Sequence, residues 1–140
     1  MRYLKLILIT AILLLSACGS SNPLIPTDQS LVGQWHWYLS VGGNLGTLTP
    51  EICQCEYWYA FNSDGTYEYH FDDEIIQYGE YQVTQEYSTF FERQMNYLYL
   101  DETKTPFTYT GRTITFFNER VCLSCPDSIY FHRDGLMYTE

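Results

Sequence analysis

From Thr66 to Asp72 the chain alternates strictly, with Tyr67, Tyr69 and Phe71 on one face and Glu68, His70 and Asp72 on the other. A period of two residues belongs to a half-buried antiparallel strand; a helix would scatter these two sets around its circumference. Just upstream, Cys55, Tyr57, Tyr59 and Phe61 share a face in the same way, and Asn62-Ser63-Asp64-Gly65 supplies the turn, with Gly65 free to take a positive φ. The two runs therefore pair as a hairpin. Similar alternation, bounded by turn residues, predicts strands over Leu31 to Ser40, Ile75 to Thr84, Tyr87 to Glu92, Gln94 to Asp101, Arg112 to Asn118 and Ser128 to Arg133, with a short last one at Leu136 to Thr139. Composition agrees: after residue 17 only one Ala (Ala60) and one Lys (Lys104) remain, against thirteen Tyr, eight Phe and three Trp, so helix formers are scarce and sheet formers abundant.

The expectation is an all-β domain, a small antiparallel up-and-down barrel of about eight strands, because short connections favour a meander and closure removes its edges. A two-sheet sandwich is the structural alternative. Val41 to Glu51, Gly-rich and containing Pro50, is the longest irregular stretch, of a length at which loops serve as lids or plugs.

Residues 1–17 follow another logic. Basic Arg2 and Lys5, an apolar run from Leu6 to Leu15 and small residues before Cys18 make a secretory signal, and the run is too short to span a bilayer as a helix. Leu15-Ser16-Ala17-Cys18 resembles the lipobox of bacterial lipoproteins. That resemblance implies removal of residues 1–17 and acylation of Cys18, and two or three acyl chains suffice for stable attachment to a lipid bilayer. Residues 18–30 would be the lipidated Cys and a flexible tether, and residues 31–140 the barrel. No Asp follows Cys18, which under the family's best-studied sorting rule favours the outer membrane.

Removing the signal takes away two of the seven basic residues and none of the seventeen acidic ones, so the remaining 123 of 140 residues carry a formal charge of 5 − 17 = −12. Nucleic acid is excluded as a partner, since its binding rests on Lys and Arg neutralising phosphates. The alternative to ligand binding is an envelope protein-interaction or inhibitor module with a packed barrel core, engaging a cationic protein partner through that surface. A chain of this length buries an ordinary core alone, as a monomer.

The run Leu31-Val32-Gly33-Gln34-Trp35 carries Gly-x-Trp, followed in order by Ser40-Val41-Gly42-Gly43, Thr49-Pro50, Phe61-x-x-Asp64-Gly65-Thr66-Tyr67, Gly79-x-Tyr81 and Tyr130-x-x-Arg133. In that order these pieces resemble the small lipocalin-like (calycin) lipoproteins of bacterial envelopes, over about 100 of the 123 residues. The resemblance implies that Gly33, Trp35 and Arg133 close one end of the barrel, Arg133 stacking on Trp35 in a cation–π pair worth about 0.5 to 2 kcal/mol. It also implies a small amphiphilic or aromatic ligand in the barrel. The chain is shorter than a typical lipocalin and lacks the helix after the last strand, which points to a reduced cavity or a filled interior.

Beyond Cys18, four cysteines form two clusters, Cys53-Gln54-Cys55 and Cys122-Leu123-Ser124-Cys125. An even number in an exported chain favours disulfides, and bonds between the clusters are expected, because same-face neighbours on one strand lie near the upper limit of disulfide Cα spacing. The alternative is a metal or stress sensor built on all four thiolates. Tyr57, Tyr59, Tyr67, Tyr69, Tyr97 and Tyr99 are the candidate ligand residues: facing inward, they would line a cavity with apolar walls and hydroxyl handles. The alternative for them is simple core filling. His36, His70 and His132 read as scattered singly on strands, and Asp72-Asp73-Glu74 as a solvated turn. No catalytic or cofactor motif appears, so the expected function is binding rather than catalysis, with no cofactor or metal.

Overall fold

The computed structural model describes residues 25–44, 46–119 and 124–134. The signal, Cys18, Cys122 and the strand expected at Leu136 to Thr139 lie outside them. Nine strands follow in order: β1 (Gly33–Val41), β2 (Thr47–Leu48), β3 (Tyr57–Phe61), β4 (Thr66–Phe71), β5 (Glu74–Ser88), β6 (Arg93–Leu100), β7 (Thr103–Tyr109), β8 (Thr113–Phe117) and β9 (Ser128–Arg133). Two one-turn helices, α1 (Asp28–Leu31) and α2 (Pro50–Cys53), precede β1 and β3.

From β3 onward each strand pairs antiparallel with the next, β1 pairs with β3, and β1 meets β9 from Trp35 opposite Arg133 to Val41 opposite Ser128. The result is a closed eight-stranded barrel of the small lipocalin-like kind, with β2 added at the rim against the end of β1. The expected hairpin is β3–β4, with Tyr59 opposite Tyr69. Two expectations need correction. The separate strands at Ile75 to Thr84 and Tyr87 to Glu92 are one long strand, β5, whose first half pairs with β4 and second half with β6. Strand β7 is not among the expected strands, and Pro106 interrupts its pattern. Pro106 sits one residue beyond the last β7–β8 register pair, Phe107 opposite Phe116, so the β8 side has no need of the N–H it lacks.

Residues 28–30, expected in the tether, form the barrel floor instead. The Trp35 indole donates to the Leu31 carbonyl at 2.7 Å, the Tyr109 hydroxyl to Ser30 O at 3.2 Å, and the Tyr81 hydroxyl to Asp28 O at 3.1 Å. The Arg133 guanidinium also donates to Ser30 O and lies 4.7 Å from the centroid of the Trp35 ring. Gly33 opens β1 opposite Phe61 at this end. Gly33, Trp35 and Arg133 thus meet at this end of the barrel, against α1. Above the floor, Leu31, Trp35, Phe61, Tyr67, Leu98, Phe107 and Ile114 are fully buried.

Candidate ligand-binding cavity

Alternation along the strands aims Tyr57 and Tyr59 of β3, Tyr69 of β4, Leu98 and Leu100 of β6, and Phe116 and Phe131 of β8 and β9 into the upper barrel. They enclose a cavity of about 280 Å³ together with Trp37, Ser40, Leu48, Thr105 and Ile129. In β1 the alternation from Trp35 through Trp37 would bring Leu39 inward next. A β-bulge between Trp37 and Leu39 shifts the phase, so that Leu39 lies opposite Tyr130 and Ser40 faces the cavity. Ser40 Oγ accepts the Trp37 indole N–H at 2.9 Å.

One wall is a continuous aromatic stack. Tyr57 and Tyr69 lie 5.9 Å apart between centroids, Tyr69 and Tyr59 4.3 Å, and Tyr59 and Phe61 5.5 Å, all with near-parallel planes. Trp37 meets Tyr57 edge-on at 5.7 Å, and Phe131 meets Tyr59 at 5.3 Å. No charged side chain lines the cavity among the described residues. The hydroxyls of Tyr57, Tyr59 and Tyr69 make no hydrogen bond to protein, whereas the floor tyrosines Tyr81 and Tyr109 are both bonded. Burial pushes the pKa of Tyr69 up to about 12, with Tyr57 adding to the effect, and raises that of Tyr59 further, helped by Tyr69 and Tyr67. Tyr59 and Tyr69 are therefore neutral donors at physiological pH.

The rim is built by the Val41 to Glu51 segment. Gly42 and Gly43 turn with φ of 100° and 68°, and a Cβ on either would strike Asp127 or the Cys125 carbonyl, so only glycines let this turn seat against the 124–127 loop. The Asp127 N–H seals the contact by donating to Val41 O at 2.9 Å. Leu48 then covers the cavity from β2, and α2 leads into β3.

Cys53 and Cys55 are disulfide-bonded to each other, with Cα atoms 5.2 Å apart, which overturns the expected bonds between clusters. The physical reason is local: these residues are not on a strand, because Cys53 ends α2 and Gln54 takes a left-handed conformation at φ 53° that folds Cys55 back toward Cys53. Cys125 is also disulfide-bonded, and its partner cannot be in the first cluster. With the first pair consumed, a four-thiolate metal site does not form.

The six candidate tyrosines divide. Tyr57, Tyr59 and Tyr69 line the cavity. Tyr67 points inward below it, its hydroxyl donating to Asp101 Oδ2 at 3.1 Å and accepting from Gln77 at 2.6 Å, and burial together with Asp101 pushes its pKa to about 12. Tyr97 and Tyr99 lie on the opposite face of β6 from the inward Leu98 and Leu100; Tyr97 is still buried there, 2% exposed, and the two hydroxyls go to Glu119 and Glu86 under the Lys104 ammonium. The three histidines are not scattered. Register sets His132 opposite His36, His36 opposite Trp58 and Trp58 opposite His70, one row across the outer wall, with Trp58 stacked on His70 at 3.5 Å. Nor is Asp72 merely solvated: its carboxylate accepts the Glu56 N–H at 2.9 Å and ties the two ends of the hairpin.

No family model, curated protein or solved structure matches this chain. Its chemistry has to be read from its own side chains.

Proposed function

We propose that this chain is a membrane-anchored, lipocalin-like lipoprotein of the bacterial envelope whose barrel binds a small, neutral, ring-bearing amphiphile. The observation that carries this reading is the set of three tyrosine hydroxyls without protein partners around an apolar cavity of about 280 Å³. These hydroxyls stay open to the cavity space instead of being sealed in its wall, so a ligand acceptor can take the place of water on them. The volume falls just below the usual range of about 300 to 1,000 Å³, which selects a compact ligand. Absence of charge from the described lining, together with the acidic surface, disfavours an anion, and the stacked phenols favour a ring. The lining offers no activated nucleophile and no acid–base pair, which supports binding over catalysis. Anchoring through acylated Cys18 rests on the lipobox resemblance.

Native mass spectrometry of the chain against neutral aromatic and lipid amphiphiles tests the binding. One-to-one complexes weakened in Tyr59→Phe and Tyr69→Phe are expected; an empty spectrum across the panel would sink the proposal.

A further inference from the structure

The barrel is closed, yet among the described residues β5 keeps a free edge over part of its length. β6 begins its pairing with β5 at Tyr81, opposite Leu100, so among the described residues the seven from Glu74 to Glu80 are paired on one side only, with β4. Along the other side the Glu80 backbone is capped by Asp101, whose carboxylate accepts the Glu80 N–H at 3.0 Å and whose N–H donates to Glu80 O at 2.9 Å. Two residues back along the strand, the same period aims the Tyr78 N–H and C=O away from β4 into open space. The free stretch is about 20 Å long at strand rise, enough for one added strand. Its side chains are those of a binding surface: Tyr78 is 79% exposed, Ile75 53% and Ile76 51%. Ile75, Tyr78 and Gly79 form a shallow groove with Thr66, Glu68 and Glu80 of about 380 Å³.

Charge decides what fits. Between residues 6 and 92 the sequence holds eleven Asp and Glu and no Lys or Arg, and all five basic residues after the signal lie from Arg93 onward. Because the topology is a meander, this asymmetry along the chain becomes an asymmetry around the barrel: β1 to β5 form an acidic half and β6 to β9 a mixed one. The free edge lies in the acidic half, with Asp72, Asp73 and Glu74 at one end and Glu80, Asp101 and Glu102 at the other. A second copy of this chain pairing edge to edge would set these carboxylates against each other, an arrangement that destabilises strand pairing.

We propose that the free edge of β5 over Glu74–Glu80 takes up an extended Lys- or Arg-rich segment of a basic partner protein as an added strand. Backbone hydrogen bonds at Tyr78 set the register, the groove beside Ile75 and Tyr78 takes one apolar side chain, and the flanking carboxylates take cations at both ends. The surface is on the outer wall and does not depend on the cavity.

The test uses the full chain and a synthetic octapeptide alternating Lys and Val, with two control peptides: a Glu-Val counterpart and a Lys-Val version N-methylated at alternate amides. Expected are saturable binding of the first peptide, slowed exchange of the Tyr78 amide, and affinity falling about tenfold from low to moderate salt as the charges are screened. The N-methylated and acidic peptides should bind at least tenfold more weakly. Tyr78→Pro removes an N–H that β4 does not use and should abolish binding while its melting temperature stays near that of the parent. Equal binding of the N-methylated peptide would reduce the site to unspecific charge attraction and overturn the proposal. So would no binding of the Lys-Val peptide, or a dimer of the chain that Tyr78→Pro dissolves.

Discussion

The rings of Tyr59 and Tyr69 stack 4.3 Å apart, 17° from parallel, on directly opposed positions of β3 and β4. Both hydroxyls enter the cavity without a protein acceptor. Two adjacent phenols are a poor choice for a purely structural core, where phenylalanines would pack equally well and leave no polar atom to satisfy.

Tyr59→Phe separates stability from binding. Removing a hydroxyl that bonds no protein group is expected to change the unfolding free energy by less than about 1 kcal/mol, against the usual destabilisation of core substitutions. Ligand affinity should fall about five- to tenfold, the equivalent of one neutral hydrogen bond. Urea denaturation and a ligand titration on the same preparation read both effects.

The raised tyrosine pKa values give a pH signature. Tyr69 titrates at about 12 in the folded chain and Tyr59 higher, because burial disfavours both phenolates. An unfolded tyrosine titrates near about 10, so the folded state holds these protons more tightly; the stability they contribute is fully present below that pH and is lost as pH rises toward the folded values. The urea midpoint should stay flat through neutral pH and fall steeply above about pH 10, less steeply in Tyr69→Phe. Absorbance at the tyrosinate band should show these phenols ionising only with unfolding; ordinary titration of all thirteen would contradict the assignment.

Gly79 is required by Asp101. A Cβ at position 79 would come 2.2 Å from the Asp101 carboxylate, which could make room only by giving up its bonds to the Glu80 N–H and the Tyr67 hydroxyl. Gly79→Ala should cost about 1 to 3 kcal/mol as overpacking. In Asp101→Gly, already weakened by the lost hydrogen bonds, the same change should cost far less, a coupling of at least about 1 kcal/mol in the double-mutant cycle.

At the floor, Arg133 serves both Trp35 and the Ser30 carbonyl. Arg133→Leu should lose the cation–π contact and the charge-assisted hydrogen bond together, about 2 to 4 kcal/mol, and Tyr109→Phe about 1 kcal/mol for its single bond to Ser30. Thermal melts of the two variants rank them; equal midpoints would mean that α1 is not held as described.

Several of these relationships are legible in the sequence and others are not, for identifiable reasons. The β3–β4 hairpin and its inward tyrosines follow from strict alternation around Asp64-Gly65, and the closure by Trp35 and Arg133 from the family resemblance of their motifs. Strand β7 is hidden by Pro106, and the outward turn of Tyr97 and Tyr99 by a competition that period alone cannot judge, since Leu98 and Leu100 form an equally regular face and are the more apolar one. The Cys53–Cys55 bond depends on one left-handed residue, Gln54, and the histidine row on register between strands far apart in sequence. The acidic half of the barrel was present all along in the run without Lys or Arg, but it becomes a surface only once the meander is known.

The most direct test of the central claim is titration of the chain with N-phenyl-1-naphthylamine, a neutral ring-bearing amphiphile, read through quenching of Trp37 at the cavity wall and enhancement of the dye. Thr105→Trp, which places an indole at the cavity wall, is the matched control. Saturable one-to-one binding that Thr105→Trp abolishes without lowering the melting temperature is the predicted result. Absence of saturation in the parent chain, or equal binding in both proteins, would contradict a ligand-binding role for the barrel.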